Sequence, residues 1–240
     1  MTLALAGRTA LVTGGSRGIG RAVVRRLARD GARVVFTFHA AAGAAAELAA
    51  ATGAEPVRCD QADLGTLADV FAPVRDGLDI LVNNAAVNVP QPIADLTPAD
   101  FDRVMTVNAK FPLFAMQAAA PLLREHGRIV NVSTLNTRVP APGLALYAAS
   151  KAALEQFTAV AARELGPRGI TVNTVSPGAT DTDLLHATNP PAALAQTAAL
   201  TALGRLGRPE DIAAVVAFLV SPDASWVTGQ NIAATGGLLL

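Results

Sequence analysis

Cysteine, tyrosine and tryptophan each occur only once among the 240 residues, and lysine occurs only twice. The single cysteine, Cys59, excludes an internal disulfide and is typical of a reducing compartment. The formal net charge is zero. The chain therefore lacks the excess of basic residues that would indicate binding to nucleic acid or to an acidic membrane. Apolar runs are short and no charged leader is evident, so we expect neither a membrane span nor a signal peptide. These absences favour a soluble, cytoplasmic protein.

Histidine is also scarce, with three residues in the chain. None of His39, His126 and His186 belongs to a pattern of spaced metal ligands, so we predict no metal site. His186 lies in a segment that could touch a substrate, although solvent exposure is the more ordinary interpretation.

Apolar residues are abundant: 51% of the chain is hydrophobic, 16% is charged, and the mean hydropathy is +0.38. Such a composition suits a broad buried sheet with helices on both faces. Strand-like and helical segments alternate along the chain, which predicts right-handed crossovers and a parallel sheet. We expect strands near residues 8–13, 33–38, 56–58, 79–82, 128–133 and 170–175, and helices near 18–29, 40–51, 64–75, 98–123, 146–165 and from 209 onward.

A glycine-rich turn, TGGSRGIG at residues 13–20, stands between the first strand and the first helix. Gly14 permits a tight turn, Gly18 lets the backbone approach a pyrophosphate, and Gly20 lets helix and strand pack closely. The helix N-terminus offers unpaired N–H groups and a positive dipole to phosphates. The turn therefore predicts dinucleotide binding.

With this turn, the alternation predicts a single α/β domain over residues 1–240. The expected architecture is a Rossmann-type, doubly wound fold, with a parallel sheet of about seven strands between two helix layers. We find no linker or repeat that divides the chain. The most irregular stretch, at about 178–206, is expected to be a variable substrate loop or lid at the carboxyl edge of the sheet.

The only tyrosine, Tyr147, lies four residues before Lys151, so the two side chains share one face of a predicted helix. An ammonium group favours the phenolate and is expected to lower the pKa of the tyrosine from about 10. Taken alone, the pair favours a half-buried tyrosine beside a solvated lysine. Its interpretation as an acid–base device depends on the rest of the chain.

The glycine spacing Gly-x-x-x-Gly-x-Gly, taken with Tyr-x-x-x-Lys, resembles the classical short-chain dehydrogenase/reductase family, and 3-oxoacyl-carrier-protein reductases in particular. The likeness runs almost end to end, because several further segments match in order. They are NNAA at residues 83–86, Ser133, VN at 172–173, SPG at 176–178, GRLGRPED at 204–211 and TGQ at 228–230.

The resemblance implies four catalytic residues: Asn108, Ser133, Tyr147 and Lys151. Tyr147 donates a proton to a carbonyl oxygen in reduction, and Ser133 polarises that oxygen. Lys151 binds the nicotinamide ribose, and Asn108 positions a water that connects Lys151 to solvent. The implied cofactor-binding residues are Gly14, Ser16, Arg17, Gly18, Ile19, Gly20, His39, Asp60, Asn84, Ala85, Ala86, Tyr147, Lys151, Pro177, Gly178, Thr180 and Thr182.

The cofactor is predicted to be NADP(H) rather than NAD(H). An acid at the end of the second strand would accept the free ribose hydroxyls of NAD, but Phe38 and His39 stand there. Arg17 in the glycine turn can pair with a 2′-phosphate, and Ser16 can add a hydrogen bond. By resemblance, Asp60 accepts from the adenine amino group.

We expect a reductase of free ketones or aldehydes with a fairly apolar substrate. A 3-oxoacyl-carrier-protein reductase is the alternative, but it needs basic docking residues, and Glu125 stands where these enzymes often carry one. Arg168 matches another such position. An NAD-dependent alcohol dehydrogenase and a catalytically silent dinucleotide-binding sensor are the further alternatives.

Two positions depart from the family pattern. Ala86 replaces a glycine, which is tolerable where the backbone φ is negative, and Thr235 replaces an aspartate before Gly236. The family and the widely apolar 146–165 helix favour a homotetramer, a dimer of dimers.

Overall fold

The computed structural model describes residues 3–238. Seven parallel strands form one sheet in the order β3-β2-β1-β4-β5-β6-β7. The strands are β1 Thr9–Val12, β2 Arg33–Phe38, β3 Glu55–Arg58, β4 Leu78–Asn83, β5 Leu123–Val132, β6 Thr171–Pro177 and β7 Asn231–Ala234. The helices are α1 Gly18–Arg29, α2 Ala42–Thr52, α3 Leu67–Phe71, α4 Pro98–Met105, α5 Phe111–Ala119, α6 Ala145–Leu165, α7 Asp183–Thr188, α8 Pro191–Leu200 and α9 Pro209–Val220.

The sheet is buried on both faces, which explains its continuous apolar strands. Side chains of β1 alternate between the faces: Ala10 and Val12 pack in one core with residues of α1 and α9, whereas Leu11 packs in the other with residues of α3, α5 and α6. The prediction of a doubly wound α/β fold with about seven parallel strands is confirmed.

Helical boundaries differ from the expectation in two places. Residues 64–75 form a short α3 between two 3₁₀ turns, because the Asp63 side chain caps the first turn and Pro73 lacks the N–H that would continue α3. The expected helix at 98–123 is divided into α4, a π-helical segment at Thr106–Lys110, and α5, which ends at Ala119; β5 begins at Leu123, before the expected strand at 128–133. Such π segments are frequent at functional sites.

The segment 178–206, expected to be irregular, contains the two helices α7 and α8. The Thr182 side chain caps α7 by accepting from the Leu185 N–H, and Pro191 stands in the first turn of α8. Alanine-rich residues then continue α8. The assignment of the segment 178–206 as a substrate loop or lid remains a prediction.

Candidate active site

The predicted site residues gather at the carboxyl edge of the sheet. The chain passes from β1 into α1 on one face and from β4 towards α4 and α5 on the other, so the neighbours β1 and β4 form the point at which the winding reverses. In open α/β sheets this switch point is where a crevice for a nucleotide opens.

The glycine turn after β1 is closely packed. Gly14 has φ +66°, and a Cβ there would lie 2.8 Å from Ala85 Cβ. A Cβ on Gly20 would lie 2.1 Å from the main-chain oxygen of Gly14. Gly18 has φ +54°, and a Cβ there would lie 3.3 Å from Thr182 Cγ2. No larger residue fits this turn at Gly14 or Gly20 without displacing backbone.

Two neighbouring segments hold the turn in place. The Gly14 N–H donates to Thr37 Oγ1 at 3.0 Å. Asn84 Nδ2 donates to the oxygens of Thr13 and Gly14 at 3.0 and 3.1 Å. The Ala85 N–H donates to Thr13 Oγ1 at 3.2 Å. Asn84 and Ala85 therefore shape the turn, and Thr37 is a contributor that the sequence analysis did not identify.

The N-terminus of α1 fits a dinucleotide pyrophosphate. Among the described residues, no side chain caps its first N–H groups, and no acid occurs in its first turn. Arg17 is the N-cap residue and is exposed, whereas Ser16 is buried and Ile19 packs against the core. Free N–H groups, the helix dipole and a nearby guanidinium all favour a bound phosphate.

His39 and Asp60 lie together beyond the ends of β2 and β3. His39 Nε2 is 3.7 Å from Asp60 Oδ2, and both side chains are exposed. The other carboxylate oxygen of Asp60 accepts from the Ala62 N–H at 3.0 Å. His39 therefore lies beside an acid and not in a purely basic phosphate site.

Tyr147 extends from the first turn of α6 and is only partly exposed. Burial raises the pKa of its phenol to about 12, and a hydrogen bond with the Thr134 side chain opposes that rise. The expected lowering of the pKa by Lys151 is therefore not what this structure shows. At neutral pH the phenol keeps its proton, which is the form that a general acid requires.

Lys151 lies one turn further along α6 and is almost completely buried. Its Nζ donates to the main-chain oxygen of Val132 at 2.8 Å. Burial lowers the pKa of its ammonium group to about 8. The structure therefore holds Tyr147 and Lys151 on one face of α6, beside the end of β5.

Ser133 has a different partner from the expected one. Its hydroxyl donates to Glu155 Oε1 at 2.6 Å, whereas the side chain that opposes the rise in the pKa of Tyr147 belongs to Thr134, whose own hydroxyl donates to Asn136 Oδ1 at 3.2 Å. The physical reason is the alternation of side chains at a strand end, which points adjacent residues in opposite directions. Thr134 and Glu155 were both missed by the sequence analysis. The pair of consecutive hydroxyl residues was the available signal.

Asn108 lies in the π-helical segment and is completely buried. Its Oδ1 accepts from the Val87 N–H at 2.9 Å, and its Nδ2 donates to the Val87 oxygen at 2.8 Å and to Ser150 Oγ at 3.1 Å. The amide therefore joins the loop after β4 to α6. Its water-positioning role stays a prediction.

The segment after β6 leads back to the glycine turn. Pro177 ends β6, and a Cβ on Gly178 would lie 3.0 Å from the Thr235 backbone. Thr180 Oγ1 donates to the Gly178 oxygen at 3.0 Å, and Thr182 Oγ1 donates to the Thr180 oxygen at 3.2 Å. These contacts bring Thr182 against Gly18, on one side of the crevice.

Ala86 follows Ala85 in the loop after β4. Among the described residues, His126 alone combines a side chain with a positive φ, so the backbone of Ala86 does not occupy the left-handed region. The added methyl group is thus compatible with this loop.

Arg168 is engaged by the protein itself. Its Nε donates to Glu125 Oε1 at 2.9 Å, and its other nitrogens donate to the oxygens of Ala120 and Leu123. Both residues lie where β5 and β6 begin, at the edge opposite the crevice. The pair does not form a free basic patch at the candidate site.

None of the helices in the described residues 3–238 combines the length and the apolar character of a membrane span. The same residues also contain no cluster of three or more His, Cys, Asp or Glu side chains arranged to hold a metal ion.

Comparison with known proteins agrees with this architecture. A family model described as enoyl-(acyl carrier protein) reductase matches residues 14–239. The chain is 44% identical over 227 residues to a cyclic-di-GMP-binding biofilm dispersal mediator protein of Escherichia coli, with 94% of each chain covered. It is 39% identical to a hydroxynaphthalene reductase-like protein of Metarhizium majus, with 97% of this chain and 95% of the relative covered.

A solved structure with the same fold is that of an angucycline C-6 ketoreductase with bound NADP. It superimposes with a TM-score of 0.94 at 42% identity, covering 98% of this chain and 97% of the ketoreductase. The chain belongs to the short-chain dehydrogenase/reductase family, and the predicted family is confirmed.

Proposed function

We propose that the protein reduces ketones or aldehydes with NADP(H), using Tyr147 as the general acid. The predicted oxidoreductase class and NADP cofactor are confirmed by the family and by its NADP-bound members. The observation that carries the proposed mechanism is the placement of Tyr147 and Lys151 on one face of α6, beside the end of β5 and at the same edge of the sheet as the glycine turn. When bound, the nicotinamide supplies the hydride that a carbonyl carbon accepts.

The chain's own residues then have separable tasks. Tyr147 holds a proton at its phenol oxygen and transfers it to the carbonyl oxygen as charge develops there. Thr134, the hydroxyl beside that phenol, is the residue that we assign to polarising the carbonyl oxygen. Lys151, one turn further along α6 beside the end of β5, is the residue that we assign to holding the nicotinamide ribose. Alcohol oxidation runs the same proton transfer in reverse.

The dinucleotide is held by the glycine turn and the N-terminus of α1, with Arg17 available to a 2′-phosphate. Thr182 closes this side of the crevice, and Asn84 and Ala85 fix the turn from the β4 side. The support for these assignments is the close packing that excludes larger residues at Gly14 and Gly20.

An apolar substrate is supported by the segment at 178–206. Leu184 of α7 and Leu200 at the end of α8 are 45% and 56% exposed, and Leu203 is 68% exposed. Apolar side chains exposed beside a crevice are available to cover an apolar ligand. The NADP-bound neighbour is named as an angucycline ketoreductase, and one relative is named as hydroxynaphthalene reductase-like, so bulky aromatic ketones are the class to test first.

A 3-oxoacyl thioester remains the alternative substrate. Docking of an acidic carrier protein needs free basic residues, and Arg168 is already engaged by Glu125 and by two main-chain oxygens. The free-ketone proposal is therefore preferred.

The test is NADPH consumption with a panel of aromatic ketones, aliphatic aldehydes and 3-oxoacyl thioesters, the last both free and carrier-linked. Consumption with aromatic ketones that disappears in Tyr147→Phe supports the proposal. Turnover confined to carrier-linked thioesters supports the alternative. Tight NADPH binding without turnover of any carbonyl would favour a silent dinucleotide-binding protein, a role that the name of the E. coli relative makes worth testing.

We also propose a cytoplasmic homotetramer. The location is supported by the single, buried Cys59. The assembly is supported by apolar side chains exposed on helices, such as Phe101 of α4, Val160 of α6 and Phe218 of α9, and by Trp226, which is 96% exposed. Light scattering at micromolar concentration tests it, and a monomer would contradict it.

A further inference from the structure

Glu155 extends from α6 towards the end of β5, two turns beyond Tyr147 on the same face of the helix. One of its carboxylate oxygens, Oε1, accepts from Ser133 Oγ at 2.6 Å and from Thr137 Oγ1 at 2.8 Å. A single oxygen atom of α6 therefore holds two residues, Ser133 and Thr137, of the segment that follows β5.

Ser133 and Thr137 lie on either side of Thr134 in the chain. Thr137 Oγ1 also lies 3.1 Å from the Thr134 oxygen, but its one proton serves the shorter contact with Glu155. Thr134 itself caps the turn, since its hydroxyl accepts from the Asn136 N–H at 3.2 Å. Clamping Ser133 and Thr137 thus leaves Thr134 little freedom to move.

The same helix carries both the clamp and the proton donor. Tyr147 and Glu155 are parts of one rigid element, α6, whereas Thr134 belongs to the segment after β5. The separation between the Tyr147 phenol and the Thr134 hydroxyl depends on how that segment is attached to α6. A displacement of about 1 Å between groups that act on the same substrate atom can lower the catalytic rate about 10²-fold.

We propose that Glu155 is a positioning residue, which holds the Thr134 hydroxyl against the phenol of Tyr147. The proposal rests on the proposed function, because the alignment matters only if Thr134 and Tyr147 share a carbonyl oxygen. Glu155 acts as a hydrogen-bond acceptor and not through its charge: among the described residues it forms no ion pair, Lys151 included.

The variants that test this are Glu155→Gln and Glu155→Ala. Glutamine keeps an Oε1 that can accept from both hydroxyls, whereas alanine keeps none. With a reducible ketone, Glu155→Ala should lower kcat by about 10- to 100-fold and leave the Kd for NADPH within about threefold. Glu155→Gln should stay within about threefold of the parent in both. Glu164→Ala, an exposed position on the same helix, is the matched control.

A second measurement needs no substrate. Because Tyr147 is the only tyrosine, carbon-13-labelled tyrosine gives a single ring signal by NMR. That signal should move in Glu155→Ala and stay in place in Glu155→Gln and Glu164→Ala. An unmoved signal in a folded Glu155→Ala would overturn the proposal, as would equal losses of kcat in the two Glu155 variants. A shift with no turnover in the parent would instead count against the proposed reaction.

Discussion

The ammonium group of Lys151 donates to the main-chain oxygen of Val132 at 2.8 Å, in the interior between α6 and β5. This contact satisfies one of its three N–H groups, while the burial of the charge lowers its pKa to about 8. A lysine in the unfolded chain titrates near 10.5. Folding therefore makes it easier to remove a proton from this group.

The stability of the protein should depend on pH through this lysine. Between pH 8 and 10.5 the unfolded chain binds more protons than the folded one, so the contribution of Lys151 to the free energy of unfolding rises with pH. Below pH 8 the cost of burying the ammonium is fully present. Lys151→Met lacks this cost, so its advantage over the parent, on the order of a few kcal/mol, should shrink between pH 8 and 10.5.

Urea unfolding at several pH values measures this difference. Lys110→Met is the control, because Lys110 is exposed and its substitution should give no such trend. A constant difference between Lys151→Met and the parent from pH 7 to 10.5 would contradict the lowered pKa of Lys151.

Replacing Tyr147 by phenylalanine should remove turnover and leave cofactor binding. The change deletes only the phenol oxygen, so the ring continues to pack in its partly buried place. Loss of a general acid costs about 10²–10⁴-fold in rate. We expect kcat to fall at least 10²-fold, while NADPH fluorescence titration gives a Kd close to that of the parent. Activity within a few-fold of the parent would remove Tyr147 from the mechanism.

The paired substitutions Thr134→Val and Ser133→Ala distinguish the two hydroxyls. Thr134→Val keeps the shape of the side chain and removes the hydroxyl beside Tyr147, so we expect kcat to fall by about 10²-fold. Ser133→Ala removes one of the two hydrogen bonds to Glu155 and should cost much less. Steady-state kinetics with a single ketone decides between them. The reverse order of losses would restore Ser133 to the substrate-polarising role.

The different roles of these two hydroxyls could not be predicted from the sequence, whereas the fold could. The alternation of segments predicted the sheet, and the tight glycine turn predicted the crevice, because both depend on local spacing. The directions in which the Ser133 and Thr134 side chains point depend on where β5 ends. They also depend on the hydrogen-bond partner on α6, Glu155, which is 22 residues from Ser133 in the sequence. The helices α7 and α8 were missed because α7 has only six residues and the alanine-rich α8 has no polar and apolar stripes to reveal a period.

The pKa of Tyr147 is a second property that the sequence could not supply. The spacing to Lys151 predicted a favourable charge beside the phenol. Burial has the larger effect, because it raises the pKa to about 12. Burial depends on the packing around the first turn of α6, which no local pattern encodes.

Gly20→Ala should destabilise the protein and abolish NADPH binding. The added Cβ would lie 2.1 Å from the Gly14 oxygen and 2.6 Å from Asn84 Nδ2, so α1 must move away from the turn. We expect a loss of about 1–3 kcal/mol in the free energy of unfolding. Gly43→Ala in α2 is the control: nothing lies within 4 Å of its added Cβ, and helix propensity predicts a gain of about 0.5–1 kcal/mol. Equal effects of the two substitutions would contradict the close packing of the turn.

Arg17→Ala should weaken the binding of NADPH and leave that of NADH nearly unchanged. Arg17 is the exposed N-cap of α1, and among the described residues no carboxylate pairs with it, so its guanidinium is available to a 2′-phosphate. A charge-assisted pair of this kind contributes about 1.5–3 kcal/mol, which corresponds to about a 10- to 100-fold rise in the Kd for NADPH. Fluorescence titration with both dinucleotides measures the ratio. The control is Arg25→Ala, because Arg25 is an exposed residue further along the same helix. Its substitution should change neither the Kd for NADPH nor that for NADH. Tighter binding of NADH than NADPH by the parent, or equal weakening of both by Arg17→Ala, would show that Arg17 does not select the phosphate.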